Sequence, residues 1–428
     1  MYKTRHQEFI NNLPTDWDIV SLNSIGEIRS GGTPSRDKED FWNGKIPWVT
    51  PSELTSLKTK YLLSTQENIT EKGLRSSAAK LLPIGSLLVT TRATIGNVAI
   101  ASMSVSTNQG FKNIVPGKEI DSTFYYYLLG KISFEMKRLA TGTTFDEISR
   151  RDFEAILVPK PSLSEQRRIA EILDTLDETI RKTEALIGKL KQVKMGLLHD
   201  LLTRGIDEQG QLRNPATHPE QFKDSPLGRI PREWGVSVLE DIAEVIMGQS
   251  PPGHSYNQKE IGIPLINGPV EFGFRYPRKL QWTTKPTKVC KYGDILFCVR
   301  GSTTGRINIS NDEYCIGRGV AAIRGKEGIS LTGFVEHFLV RLAEEILSEA
   351  KGNGSTFPSV NSKRLSSTLV MKPSLKEQGK ILSIIESHNR RIQKEQSYLN
   401  KLQQLKKGLM EDLLTGKVRV NELEEVQA

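Results

Sequence analysis

Apolar residues recur at three- and four-residue spacing through residues 162–204, and the same pattern returns without a gap over residues 374–417. The first copy carries Ile169, Ile172, Leu173, Leu176, Ile180, Leu186, Leu190, Val193, Leu197 and Leu201 on its stripe. The second carries Ile381, Ile384, Ile385, Ile392, Leu399, Leu402, Leu405, Leu409 and Leu413. This spacing predicts two long helices of about 60 Å each, at about 1.5 Å per residue, with a near-heptad seam. Ser162 and Ser374 stand three residues before Glu165 and Glu377, the spacing of a capping box, and Pro161 and Pro373 mark the start of each helix. Such a helix cannot bury its seam against itself. The other copy is the natural partner, which predicts an antiparallel coiled-coil pair related by a pseudo-twofold axis, a strut with a domain near each end.

The segments before the two helices repeat more loosely. Leu13-Pro14-Thr15-Asp16-Trp17 is echoed by Ile230-Pro231-Arg232-Glu233-Trp234, and Gly31 with Thr33-Pro34 by Gly248 with Ser250-Pro251. Ile46-Pro47 returns as Ile263-Pro264, the stretch 85–92 as 293–300, and Gly142-Thr143-Thr144-Phe145 as Gly354-Ser355-Thr356-Phe357. Short β-rich runs at 87–91, 98–101, 295–299 and 320–323 sit beside helical patterns at 122–139 and 332–350. The fold class is therefore α+β, with two globular domains built on small, twisted, mainly antiparallel sheets and separated by the long helices. The expected boundaries are a first domain over 1–161, a helix over 162–204, a polar Gly- and Pro-containing surface linker over 205–229, a second domain over 230–373, a helix over 374–417 and a tail over 418–428.

Composition narrows the chemistry. Three cysteines, Cys290, Cys298 and Cys315, form no C-x-x-C pair, which argues against a disulfide framework or zinc site. No run of eighteen apolar residues occurs, and the start MYKTRHQEFINNLPTDW has no signal-peptide core, so the reading is a cytoplasmic protein with no membrane role. Phosphate-loop, dinucleotide, zincin and nucleophile-elbow motifs are absent, as is an Asn or Asp followed by Pro-Pro-aromatic, and the six histidines are scattered; an enzyme is not expected. The net charge of +9 admits a polyanionic partner. Arg275, Arg278, Lys279, Lys285, Lys288, Lys291 and Arg300 face only Asp294 and interleave with Tyr276, Trp282, Tyr292 and Phe297, a mixture suited to phosphate contact.

The P-x-x-W start of each domain with its downstream G-x-[TS]-P, the S-L-x-E-Q start and G-L-[LM]-x-D-L-L-T end of each long helix, and the linker G-I-D-E-Q-G-x-L-R-N-P together cover nearly the whole chain. In these the chain resembles the specificity (S) subunit, HsdS, of Type I restriction-modification systems. The resemblance implies two target-recognition domains, each binding one half of a bipartite site on double-stranded DNA, with helices that set the unread spacer and dock two modification (methyltransferase) subunits. It also implies restriction (motor-nuclease) subunits in the full complex. This chain would hold no cofactor or metal; S-adenosylmethionine, ATP and Mg would belong to the partners. Because the stretches between shared anchors differ, the two half-sites are expected to be non-identical.

Side chains able to meet phosphates or base edges in Gly-rich settings are Arg36, Lys38, Arg92, Thr94, Asn108, Gln109 and Lys112 in the first domain. In the second they are Gln249, Ser250, Tyr256, Asn267, Arg275, Arg278, Arg300, Ser302 and Arg318. Arg92 and Arg300, being shared, are expected to serve phosphate contact or structure. Two other readings fit the residues: the recognition subunit of a Type IIB-like system, and a coiled-coil scaffold whose ends bind protein.

Overall fold

The computed structural model describes residues 4–141, 146–352 and 359–420. The repeated Gly142-Thr143-Thr144-Phe145 and Gly354-Ser355-Thr356-Phe357, and the tail beyond Val420, lie outside the described residues. Two compact units emerge, one of Met1–Glu184 with Ser397–Ala428, the other of Ala185–Gln396. The division falls inside the helices Leu163–Thr203 and Leu375–Leu414, so each unit holds one globular domain, the first half of the helix that follows it and the second half of the other helix.

In the first unit the main sheet runs in the order Gly26–Ser30, Lys112–Pro116, Leu87–Val89, Val98–Ala101, Tyr61–Leu62, antiparallel except for its last pair. In the second, Ala243–Met247, Val320–Gly325, Ile295–Cys298 and Ile307–Ile309 follow the same order, all antiparallel. The central strands Leu87–Val89 and Ile295–Cys298 read as unbroken apolar runs because both faces are covered, while their neighbours carry polar residues such as Glu27, Arg29, Lys112, Asn113, Glu244 and Asn308. Leu87 and Val89 face the helical side and Leu88 the opposite one; Ile295 and Phe297 face one side, Leu296 and Cys298 the other. The helical cover is Ser122–Lys131 with Ser133–Leu139 in the first unit and Thr332–Gly352 in the second. Phe124, Tyr125, Leu128 and Leu129 occupy the spacing that Phe334, Val335, Phe338 and Leu339 repeat. A second sheet follows in each unit, through Trp42–Val49 beside Ser106–Thr107 in parallel, and Ile263–Ile266 beside Tyr314–Ile316 in parallel.

Within the first unit Ile169, Ala170 and Leu173 share a core with Leu413 and Leu414; within the second, Ile381 and Ile385 share one with Leu201 and Leu202. Ile172 and Ile384 are partly buried against the same cores, as are Leu409 and Leu197. Leu176, Leu190 and Leu402 are buried. Two seam assignments are corrected: Val193 is 47% exposed and Leu405 52%. A strict alternation of four and three from Ile169 passes through Thr183, Ile187 and Lys194, and Thr183 and Ile187 are the buried residues. The same count from Ile381 reaches Lys406, which bonds Asp177 at 2.5 Å and lies over the Tyr127 ring. A lysine stem can fill a seam while its head finds a carboxylate.

The capping expectation is corrected too. Ser162 Oγ and Ser374 Oγ do accept from the N–H of Glu165 and Glu377, each at 3.2 Å. The carboxylates, however, turn away to a different task. Glu165 accepts from Trp17 Nε1 at 3.0 Å and from Arg419 Nε at 2.8 Å, and Arg419 also forks onto Asp16 at 2.8 Å. Glu377 accepts from Trp234 Nε1 at 2.9 Å, Arg213 at 2.6 Å and the Ile206 N–H at 2.9 Å. The adjacent glutamines repeat each other as well: Gln166 accepts from Asp121 N–H and donates to the Pro161 carbonyl, while Gln378 accepts from Leu331 N–H and donates to the Pro373 carbonyl. Gly205 and Gly416 follow the far helix ends with φ of +62° and +65°, and a Cβ there would lie 2.3 Å from Glu377 Oε1 and from Pro14 Cγ respectively. The segment over 205–229 is thus more than a surface linker. Ile206 enters the core, Arg213 closes the clamp, and Phe222–Ser225 pairs with Gly228–Pro231. In the tail, Val420 is buried in the first core.

Glu165→Ala or Glu377→Ala strands a buried indole N–H and an arginine. Each is expected to cost about 3–5 kcal/mol, read as a lowered unfolding midpoint by tryptophan fluorescence; an unchanged midpoint would show that the clamps are not structural.

Candidate nucleic-acid interface

The second unit carries a groove of about 460 Å³ lined by Ser250, Tyr256, Asn267, Gly268, Pro269, Arg300, Arg318 and Gly319. Three chain turns supply most of it, with Tyr256 and Arg300 added from two further segments. The turn after Ala243–Met247 supplies Ser250, the exit from Ile263–Ile266 supplies Asn267, and the loop between Tyr314–Ile316 and Val320–Gly325 supplies Arg318. Asn267 donates to Gln281 Oε1 at 3.3 Å, and the Arg318 N–H donates to Ser250 Oγ at 3.3 Å. The structure therefore brings five of the nine candidates of this domain together. Gln249 and Ser302 are exposed. Arg275 sits apart, bonded to Glu336 at 3.2 Å, where burial opposes its charge and Glu336 and Tyr276 more than restore it, raising its pKa. Arg278 is spent on the Val270 carbonyl at 3.0 Å and Lys279 on Asp312 at 2.7 Å. Of the interleaved aromatics, Trp282 and Phe297 are core, while Tyr276 and Tyr292 are exposed. The glycines and Pro269 that line the groove carry no polar side chain, and their role could be read only from the fold.

In the first unit the corresponding turns hold Thr33, Arg92, Asn108 and Gln109. Thr33 Oγ1 bonds Gln109 Oε1, and Asn108 Oδ1 accepts from the Gly110 N–H at 2.8 Å. Arg92 lies 3.9 Å from Glu147, in a bridge equivalent to that joining Arg300 and Ser359. Arg36 stacks 3.8 Å over Trp42 and bonds Glu67 at 3.0 Å, so its guanidinium is held ready-oriented on the surface. Lys38 lies over Phe41, and Thr94 gives its carbonyl to Thr90 Oγ1. Lys112 is corrected: it is buried, and its ammonium bonds Thr91 Oγ1 and Glu147, each at 3.3 Å. A lysine so paired beneath the surface holds the domain together rather than meeting DNA. Among the described residues no helix is long and apolar enough to cross a membrane.

The sequence matches the Type I restriction modification DNA specificity domain twice, over residues 14–192 and 231–404. The chain belongs to this family. It is 28% identical to the Type I restriction enzyme MjaIX specificity subunit of Methanocaldococcus jannaschii, over 97% of this chain and 96% of that one. It is 31% identical to the putative MjaX specificity subunit of the same organism, over 96% of each. Among solved structures, the HsdS subunit from Thermoanaerobacter tengcongensis matches at a TM-score of 0.55 and 22% identity, over 95% of this chain and 98% of that one. A chain solved to explain complex assembly and conformational transition of the type I R-M system matches at a TM-score of 0.63 and 22% identity, over 95% and 99%. The specificity family makes this a DNA-recognition subunit of a type I system, non-catalytic in itself, with the enzymatic activity in partner subunits.

Arg300→Ala and Arg92→Ala are expected to weaken DNA binding by the assembled complex for all sequences alike, each lowering the salt slope by about one. Lys112→Met leaves that slope unchanged while lowering stability. Affinity titrations across salt concentrations check both; an unchanged slope for the arginines, or a reduced one for Lys112→Met, contradicts the assignment.

Proposed function

We propose that each globular domain reads one half of an asymmetric bipartite site on double-stranded DNA, and that the two long helices pair antiparallel about a pseudo-twofold axis to set the unread spacer. The observation that carries this reading is the reciprocal packing of the helix ends, Ile169 and Leu173 with Leu413 and Leu414 in one unit, Ile381 and Ile385 with Leu201 and Leu202 in the other. Helices of 41 and 40 residues extend about 60 Å at 1.5 Å per residue. That span matches readers placed one or two duplex turns apart, at roughly 34 Å per turn. The two reading domains in this proposal are those over 1–161 and 230–373.

The asymmetry follows from what surrounds the shared frame. After Val49 the chain enters the helix Pro51–Ser56, whereas after Ile266 it enters the basic and aromatic stretch that shapes the groove. The partners in this proposal are two modification subunits, which would hold S-adenosylmethionine, and restriction subunits using ATP and Mg, all in the cytoplasm; membership of the specificity family supports a DNA and a methyltransferase partner. The exposed Leu186, Val193, Met195, Tyr398 and Leu405 beside the helix seams offer apolar area to the modification subunits.

Co-expression with the modification subunits, followed by single-molecule sequencing of methylated adenines, is expected to yield one bipartite motif with a constant gap that disappears when this chain is deleted. Methylation indifferent to the deletion would overturn the reading.

A further inference from the structure

The turns 108–110 and 317–319 occupy one and the same place in the two domains. Four backbone hydrogen bonds repeat between them. Asn108 N–H donates to the Val49 carbonyl at 3.1 Å and Gly317 N–H to Ile266 at 2.8 Å. Gly32 N–H donates to Thr107 and Gln249 N–H to Ile316, each at 2.9 Å. Thr91 N–H donates to Gly110 at 2.8 Å and Val299 N–H to Gly319 at 2.9 Å. Gly31 N–H donates to Phe111 at 3.4 Å and Gly248 N–H to Val320 at 2.9 Å. The parallel pairings Val49↔Thr107 and Ile266↔Ile316 fix the same register. Gln109 and Arg318 are therefore equivalent positions.

Neither flanking residue can reach outward. Asn108 folds back onto the Gly110 N–H, and a Cβ at Gly317 or Gly319 would lie 2.1 or 2.2 Å from Asn267 atoms. Each turn consequently sends out one exposed side chain, and that side chain differs between the domains. The hydroxyl beside it is shared: Thr33 Oγ1 donates to Gln109 Oε1, while Ser250 Oγ accepts the Arg318 N–H. Among the described residues neither Gln109 Nε2 nor the Arg318 guanidinium has a hydrogen-bond partner.

We propose that Gln109 and Arg318 are the equivalent base-reading residues of the two domains, Gln109 selecting an adenine and Arg318 a guanine. The chemistry fits each. An amide oxygen has two lone pairs, so Oε1 can hold Thr33 and still accept from adenine N6 while Nε2 donates to N7. A guanidinium on a pinned turn can donate twice, to guanine O6 and N7. Arg92 and Arg300, present in both domains, cannot supply this difference; Gln109 against Arg318 can. The inference rests on the reading of two unlike half-sites.

The test uses the full chain with its own modification subunits, carrying Gln109→Ala or Arg318→Ala, and maps methylated adenines across the host genome. Each variant is expected to lose discrimination at one position of one half-site, an adenine for Gln109 and a guanine for Arg318, by about tenfold. The rest of that half-site, the other half-site and the gap stay intact. A motif unchanged at every position overturns the proposal while leaving the bipartite reading standing. Should a variant complex methylate nothing, competition binding on four duplexes differing only at the assigned position decides: retained preference among them overturns the assignment, and its loss supports it. A wild-type complex without any bipartite motif refutes the underlying reading itself.

Discussion

A buried carboxylate at the start of each long helix holds three distant pieces of chain together. Glu165 joins the tryptophan that opens its own domain to Arg419, which follows the other helix; Glu377 joins Trp234 to Arg213 in the same way. Two charges removed from water are costly unless every lone pair is met, and here the indole N–H and the guanidinium meet them. The neighbouring acids Asp16 and Glu233 take the rest of each arginine. The hydrogen bonds that Arg419 donates to Asp16 and then to Glu165 raise its pKa further, and the fork stays charged at any physiological pH. Each domain is thereby fastened to the start of one helix and the end of the other, and its orientation is set by hydrogen bonds instead of by a flexible joint.

The same economy separates what is common from what varies. The central strands Leu87–Val89 and Ile295–Cys298 are buried on both faces, so they tolerate only apolar exchange, and the covering helices repeat the same contact spacing. Variation collects where the strands end. One domain turns into a short capped helix through Thr50 and Glu53, and the other into the irregular stretch around Asn267 and Pro269. A reader that must change its target without changing its scaffold is served by such a division.

Much of this was legible in the chain. Apolar runs such as 87–89 and 295–298 stand out because both faces are covered, and mixed α and β structure follows from them. The long helices are marked by their period. Their exact seam was harder: Thr183, Lys194 and Lys406 sit on it, and without an apolar side chain at those steps Val193 and Leu405 look like the better fit. Glu165 and Glu377 have capping-box spacing, and nothing local reveals that an arginine from the far end of the chain claims them. Lys112 looked available to DNA because its acid, Glu147, lies outside any local pattern. Gln109 and Arg318 were visible as polar residues beside glycine, but their equivalence needed the strand register.

Two unlike readers held at a fixed separation on one duplex should leave a distinctive footprint. Hydroxyl-radical footprinting of the assembled complex on its methylated sequence is expected to show two protected patches of different sequence flanking a gap whose length is the same at every genomic site. Two identical, palindromic patches, or a gap that varies from site to site, would contradict that arrangement.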